Sequence, residues 1–268
     1  MESKILDLEG NEKGKIKLPK QFEEDIRADL IKRAFLAIMS HKRQEYGASP
    51  EAGKRSSART SKRRHDYRGS YGLGISRTPR KIFSRSGTRM NWQGAFVPGT
   101  VGGRQAHPPK AEKIFWQKIN KKERKKAIRS AIAATMDRLL VIQRGHKAAD
   151  KYPFVIDSSI ESIDKTSRVK DILIRLGLKE ELKRSEVKKI RAGKGKLRGR
   201  KYKKRKGPLI VVSKNCKLIK AASNIPGIDV CEVKNINVEL LAPGAIPGRL
   251  TLWSKESVDL LGKERLFD

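Results

Sequence analysis

Between His41 and Lys110 the chain loses both the helical and the strand period of apolar residues, and that gap constrains the fold more than any other feature. Glycine and proline recur through it, from Gly47 and Pro50 to Pro108 and Pro109. Lys and Arg fill most of the spaces, and the only acids are Glu45, Glu51 and Asp66. Structureless loops longer than about 12–15 residues are rare inside a compact domain. A far longer one, poor in apolar surface, cannot offset its ordering entropy by burial and must order against something outside itself.

Regular patterning flanks the gap. Lys4–Leu8 reads as a short strand. Ile26, Leu30, Ile31, Ala34, Phe35, Ile38 and Met39 fall at helical spacing, with Arg27, Lys32 and Arg33 on the opposite side. Beyond the gap, Asn120 and Glu123 have the spacing of a capping box ahead of Ala127, Ile128, Ala131 and Ile132. Tyr152–Ile156 reads as a strand, and a helix bearing Val169, Ile172, Leu173 and Leu176 stops at Gly177. Pro208–Ser213 is apolar without alternation, as a strand covered on both faces of a parallel sheet would be. Ile228–Val233 and Arg249–Trp253 are further strands, and Ser254 can cap a last helix carrying Val258 and Leu261. Alternating strands and helices predict a single α/β globular domain, a mostly parallel sheet flanked by helices. Residues 1–40 and 111–268 form it, and 41–110 is a long irregular basic loop inserted after the first helix.

Charge narrows the function. Sixty-three Lys and Arg against 29 Asp and Glu leave a net charge of +34 in 268 residues. Self-repulsion on that scale opposes compaction unless a polyanion neutralises it. Nucleic acid is the natural partner, because each neutralised phosphate releases a condensed counterion. A membrane is not expected: no run of about 18 apolar residues exists, and the N-terminal MESKILDLEG lacks the apolar core of a signal peptide. The expected location is the cytosol, where Cys216 and Cys231, the only cysteines, would stay reduced.

A second basic stretch, Lys188–Lys206, holds twelve cations and no acid. The bland reading is a solvated linker. Against it, the run is internal, abuts the apolar strand at Pro208, and contains Gly193, Gly195 and Gly199, which let backbone approach a surface closely. Lys194, Lys196, Arg198, Arg200, Lys201, Lys203, Lys204 and Arg205 are its candidate phosphate contacts, and Tyr202 could stack on a base or sugar. In the long loop the candidates are Lys54, Arg55, Arg59, Lys62, Arg63, Arg64, Arg68, Arg85, Arg89, Arg104 and Lys110, with Trp92 as a stacking partner.

Catalytic signatures fail on inspection. Gly10–Lys15 is one residue short of a P-loop and continues with Ile16 instead of Ser or Thr. The glycines at 193, 195 and 199 have the wrong spacing for a dinucleotide fingerprint. His41, His65, His107 and His146 are scattered, without a partner set for a metal or a nucleophile. His146 is expected to bond backbone at a turn, and Glu180–Glu181 to favour the dipole at a helix start. Trp253 is expected in the core.

Several motifs together are similar to one family. Ala192-Gly-Lys-Gly-Lys-Leu-Arg-Gly-Arg-Lys-Tyr202, Ala222-Ser-Asn-Ile-Pro-Gly227, Leu241-Ala-Pro-Gly244 and Pro247-Gly-Arg-Leu250 carry the resemblance. Asp29-Leu-Ile31, Thr100-Val-Gly-Gly-Arg104, His107-Pro-Pro-Lys110, Ser130–Thr135 and Arg144-Gly-His146 extend it along the chain. The chain resembles the universal ribosomal protein four of the large subunit in its archaeal form, ending at Asp268 without the basic extension of eukaryotic members. It departs at Ala245-Ile246, where members often have Gly-His, and in the unusually basic stretch Arg59–Tyr71. The resemblance implies a structural ribosomal protein that binds large-subunit ribosomal RNA early in assembly and contacts several RNA domains. It also implies neighbouring ribosomal proteins and the nascent polypeptide as partners, no homo-oligomer, and no cofactor beyond Mg or K ions that belong to the RNA. The loop, with its tip near residues 75–90, would line the polypeptide exit tunnel through Ile75, Ser76, Arg77, Thr78, Pro79 and Arg80. A free RNA-processing or RNA-chaperone factor with latent nuclease activity is the alternative from another class.

Overall fold

A computed structural model describes all residues, Met1–Asp268. The chain divides into two compact units: Met1–Lys42 with Trp116–Asp268, and Arg43–Phe115.

The first unit is built on a six-stranded sheet. Its strands are β1 (Glu2–Leu6), β2 (Glu12–Lys17), β5 (Phe154–Ile156), β8 (Leu209–Val212), β9 (Asp229–Glu232) and β10 (Thr251–Ser254), in the order β2-β1-β5-β10-β8-β9. Every pairing is parallel except β1 with β2, an antiparallel hairpin turning at Gly10 where φ is +89°. The Gly10–Lys15 segment is therefore a hairpin arm, with Gly14 opposite Ile5. β8 and β10 are buried at every residue, which is why Leu209–Val212 shows no alternation.

The two faces of the sheet carry separate cores. Phe154, Ile156, Ile210, Val212 and Leu252 meet Val169, Leu173, Leu182, Leu218 and Ala222. These come from α4 (Thr166–Arg175), α5 (Lys179–Glu186) and α6 (Lys217–Ser223). Val155, Leu209, Val211, Cys231 and Trp253 face Ile31, Ala34, Ala127, Ile132, Val238 and Leu261. The latter lie on α1 (Ala28–His41), α2 (Lys121–Met136), α7 (Val238–Leu241) and α8 (Lys255–Lys263). Trp253 packs edge-on to Phe22, ring centroids 5.0 Å apart. α3 (Arg138–Gln143) follows α2, its first amides held by the Asp137 carboxylate. This is the mostly parallel, helix-flanked α/β sheet read from the sequence.

Local details differ from the sequence reading. The first strand begins earlier and stops at Leu6. On α1 the buried residues are Ile31, Ala34 and Ala37, while Ile26 precedes the helix and is exposed, as is Met39. Asn120 makes no side-chain cap, and Glu123 does not turn back to it but pairs with Arg33 of α1 at 3.1 Å. Ser254 does cap α8, through Ser257 N–H.

In the second unit, β3 (Arg80–Ser86) and β4 (Arg89–Gly94) form an antiparallel hairpin reversing at Gly87-Thr88, with Gly87 at φ +57°. This corrects the reading of 41–110 as wholly irregular. Met90, Trp92 and Gly94 alternate with exposed Arg89, Asn91 and Gln93, a period masked by the Arg- and Ser-rich composition around it. Elsewhere glycines let backbone segments touch: a Cβ on Gly47 would lie 2.4 Å from Ala111 N, and one on Gly53 2.4 Å from Arg104 N.

Candidate nucleic-acid interface

The basic run Lys188–Lys206 is neither linker nor tail. β6 (Lys188–Ile190) and β7 (Tyr202–Lys204) pair antiparallel, with a 3-10 turn over Lys194–Arg198 between them. Gly193 and Gly199, at φ +76° and +77°, permit the entry and exit of that turn. Arg191 Nε donates to Arg200 O at 2.9 Å, and Lys188 Nζ sits 4.7 Å from the Tyr202 ring centroid. No carboxylate pairs with any hairpin cation other than Lys206, which reaches Asp229 at 2.9 Å.

Where the hairpin rejoins the sheet, a groove of about 700 Å³ opens. Its walls bring together Arg144, Arg184, Lys189, Lys203, Lys204, Arg205 and Lys206, with Val187 and Ile246 as apolar patches and no acidic residue. Burial, with Arg249 and Arg184 nearby, pulls the Arg144 pKa down to about 10, which leaves the guanidinium charged at neutral pH.

The groove floor rests on two buried ionic centres. Arg249, fully buried, donates through Nε to Gly207 O at 2.9 Å, through Nη1 to Leu240 O at 2.9 Å, and through Nη2 to Asp229 Oδ2 at 2.6 Å. It precedes β10, while Gly207 and Asp229 stand at the starts of β8 and β9, so one side chain ties three strand beginnings together. In the second centre, Glu181 Oε1 accepts from His146 Nδ1 at 2.7 Å, and its two oxygens accept from Arg184 Nη2 at 2.6 Å and Nε at 2.7 Å. A carboxylate can only accept, so the imidazole carries its proton on Nδ1. Burial lowers the His146 pKa against the pull of Glu181, keeping the ring neutral.

Open α/β sheets ordinarily bind ligands at the carboxyl ends of their strands. Here those ends carry Ser213 and Ser254, both bonded to buried Glu161, with Glu256 beside them. That edge mixes Lys214 and Lys263 with Glu256, Asp259 and Glu264, whereas the acid-free cluster of cations stands at the opposite edge. Among clusters of His, Cys, Asp and Glu, none could hold a metal ion, and no helix is long and apolar enough to cross a membrane.

The second unit holds sixteen Lys and Arg against four acids, and none of its cations is in an ion pair. Several instead lie over rings: Arg85 over Tyr67 at 4.7 Å, Arg77 over Tyr71 at 4.3 Å and Arg80 over Trp92 at 5.1 Å.

Comparison with known proteins decides what kind of chain this is. Residues 16–264 match the model of the ribosomal protein L4/L1 family. The large ribosomal subunit protein uL4 of Nanoarchaeum equitans is 54% identical over 268 residues, covering 100% of both chains. The chain belongs to the ribosomal protein L4/L1 family. The uL4 proteins of Archaeoglobus fulgidus and Methanocaldococcus jannaschii are 44% and 43% identical, each over 98% or more of both chains. Members of this L4 family are structural constituents of the large subunit and not enzymes.

Within this L4 chain the residues singled out from sequence fall into distinct settings. Lys194, Lys196 and Arg198 ride the exposed turn, Arg200 and Lys201 lead into β7, and Tyr202, Lys203, Lys204 and Arg205 run along or just past it. Lys54 and Arg55 lie in a turn, and Arg59 bridges to Arg80. Lys62, Arg63, Arg64 and Arg68 surround Asp66, which accepts from Ser61 Oγ at 2.5 Å. Arg85 and Arg89 flank the hairpin turn, Trp92 sits on β4, and Arg104 and Lys110 lie in coil. Ile75, Ser76, Arg77, Thr78 and Pro79 lead into β3, which Arg80 opens, and the chain reversal comes later, at Gly87-Thr88.

Sequence reasoning assigned no contact role to Arg144, Arg184, Lys189, Lys206 or Arg249, although Arg144 and Arg249 lie in family motifs and Lys189 and Lys206 in the basic run. It also took His146 for a backbone-bonded turn residue and Glu181 for a dipole acid, whereas they bond each other. Glu181 at the third position of α5 looks like any first-turn acid, and only its burial marks it out.

Proposed function

We propose that this L4-family chain binds large-subunit ribosomal RNA through its first unit, by phosphate contacts along the cationic groove and the β6–β7 hairpin. The observation that carries the reading is the groove itself. Three separate chain segments supply seven Lys and Arg to one concavity without an acid, an arrangement that repels itself unless phosphates enter. Lys121, Lys122 and Arg124, exposed on α2 across the sheet, support contact with more than one RNA domain. In the second unit, unpaired cations and ring faces at Tyr67, Tyr71 and Trp92 suit irregular or single-stranded RNA. In this reading the second unit lines the exit tunnel, as the family resemblance implies, with Arg77 and Arg80 as fixed charges toward a nascent chain. Binding early in assembly, as a single copy among neighbouring ribosomal proteins, completes the reading. The protein itself brings no cofactor, and any Mg or K ions are the RNA's.

The test is filter binding to large-subunit ribosomal RNA across a salt series. Replacing Lys203, Lys204 and Arg205 with Gln should weaken binding and flatten the log–log salt slope by up to ~0.9 per lost contact on a duplex-like site. An unchanged slope would leave the hairpin a solvated surface element with no part in RNA binding.

A further inference from the structure

Glu181 is a fully buried carboxylate bonded to Arg184, behind the lining of a groove that itself holds cations and no acid. By charge alone it opposes an RNA phosphate, and an RNA-binding surface gains nothing from it. Its contacts give a different account. It accepts from His146 Nδ1 at 2.7 Å and from Lys147 N–H at 2.9 Å, both on the segment after α3. It also accepts from one edge of the Arg184 guanidinium, Nη2 at 2.6 Å and Nε at 2.7 Å. The same Nη2 also donates to the carbonyl oxygen of Lys206, the last residue of the basic run, at 2.6 Å. One carboxylate thus ties together the three chain segments that line the groove: Arg144–Lys147, α5 and the end of the hairpin.

We infer that Glu181 is a positioning residue for RNA binding: through Arg184 it fixes the exit of the β6–β7 hairpin, and through His146 and Lys147 it fixes the Arg144 segment, so that the groove cations converge. The inference rests on the reading of the groove as an RNA site. Its mark is a reversal of sign. Removing a negative charge beside a phosphate site should tighten binding if charge alone matters. If Glu181 positions the cations, Glu181→Gln should loosen binding, because the single amide oxygen cannot accept from Nε and Nη2 of Arg184 and from the imidazole as two carboxylate oxygens do. Arg184→Lys should act alike, since an ammonium keeps the charge but loses the planar fork that spans Glu181 and the Lys206 carbonyl.

The experiment measures affinity of the full chain for large-subunit ribosomal RNA in wild type, Glu181→Gln, Arg184→Lys and Glu180→Gln. Glu180 is the exposed neighbour and supplies the same change of charge outside the network. Circular dichroism at the binding temperature establishes that each variant is folded. The expected result is a roughly five- to tenfold loss for Glu181→Gln and Arg184→Lys, about the worth of one net hydrogen bond, with Glu180→Gln unchanged or slightly tighter. Folded Glu181→Gln that binds as well as or better than wild type overturns the positioning role, as does an Arg184→Lys protein with wild-type affinity. The Lys203, Lys204 and Arg205 variant separates the two failures. If it too binds normally, the RNA reading of the groove is what fails; if it binds weakly, only the role of Glu181 does.

Discussion

Arg249→Leu offers the most direct measure of what holds the groove floor. The guanidinium is fully buried, and its removal strands two carbonyl oxygens, on Gly207 and Leu240, each with a 2.9 Å bond. It also takes a 2.6 Å contact from Asp229. Asp229 keeps Lys206 at 2.9 Å and is about one-third exposed, so its share of the loss is discounted. Stranding one partner of a buried pair costs about 3–5 kcal/mol, and each orphaned buried acceptor ~1–3 kcal/mol. The leucine recovers part of this by apolar burial, leaving a net loss of about 3–4 kcal/mol. For a chain of this size that corresponds to a fall in melting temperature of roughly 6–16 °C. Arg249→Lys should fall between, since an ammonium can reach some of the oxygens but not all. The assay is urea unfolding followed by circular dichroism, with the slope m compared to exclude a change in compactness. A loss below about 1 kcal/mol in Arg249→Leu would refute the claim that this side chain ties the three strand beginnings together.

Two further outcomes follow from the buried acids and His146. Glu161→Ala leaves Ser213 N–H and the Ser254 hydroxyl without their acceptor and the Ser213 hydroxyl with Glu256 alone at 3.2 Å, and unfolding should show a loss of about 2–4 kcal/mol. Burial lowers the His146 pKa below its ordinary value of 6.5, so the unfolded chain takes up that proton first and stability falls as pH drops through about 6.5. The depressed pKa of Glu181 adds a separate loss further into acid, as pH falls below the ordinary carboxylate value of 4.5. Melting temperatures from pH 7.5 to 5.5 should therefore decline in wild type and flatten in His146→Gln; an equal decline in both would show that other groups govern this range.

The sequence alone determined the class of partner and the outline of the scaffold. A charge of +34 cannot be hidden by any fold, and the unbroken Leu209–Val212 could only be a strand covered on both faces. The apolar period of Val169, Ile172 and Leu173 marked α4 because the same three residues form its buried face. The family motifs were legible for a similar reason, being contiguous stretches of local chain. What the sequence concealed depended on residues far apart in it. Arg144, Arg184 and Lys206 become one groove only when α3, α5 and the hairpin end meet, and nothing in their local settings shows that they face one another. His146 and Glu181 are separated by 35 positions, so their pairing is set by the packing of α5 and not by any spacing. The choice of edge was likewise tertiary. Glu161 accepts from Ser213 and Ser254 at the carboxyl ends of the strands, where acids and lysines mix, while Arg249 draws the opposite ends together beneath the acid-free cations. Local pattern reports which residues must be buried or charged, but where buried charges find their partners is fixed by packing, since an ion without one is too costly to leave in the core.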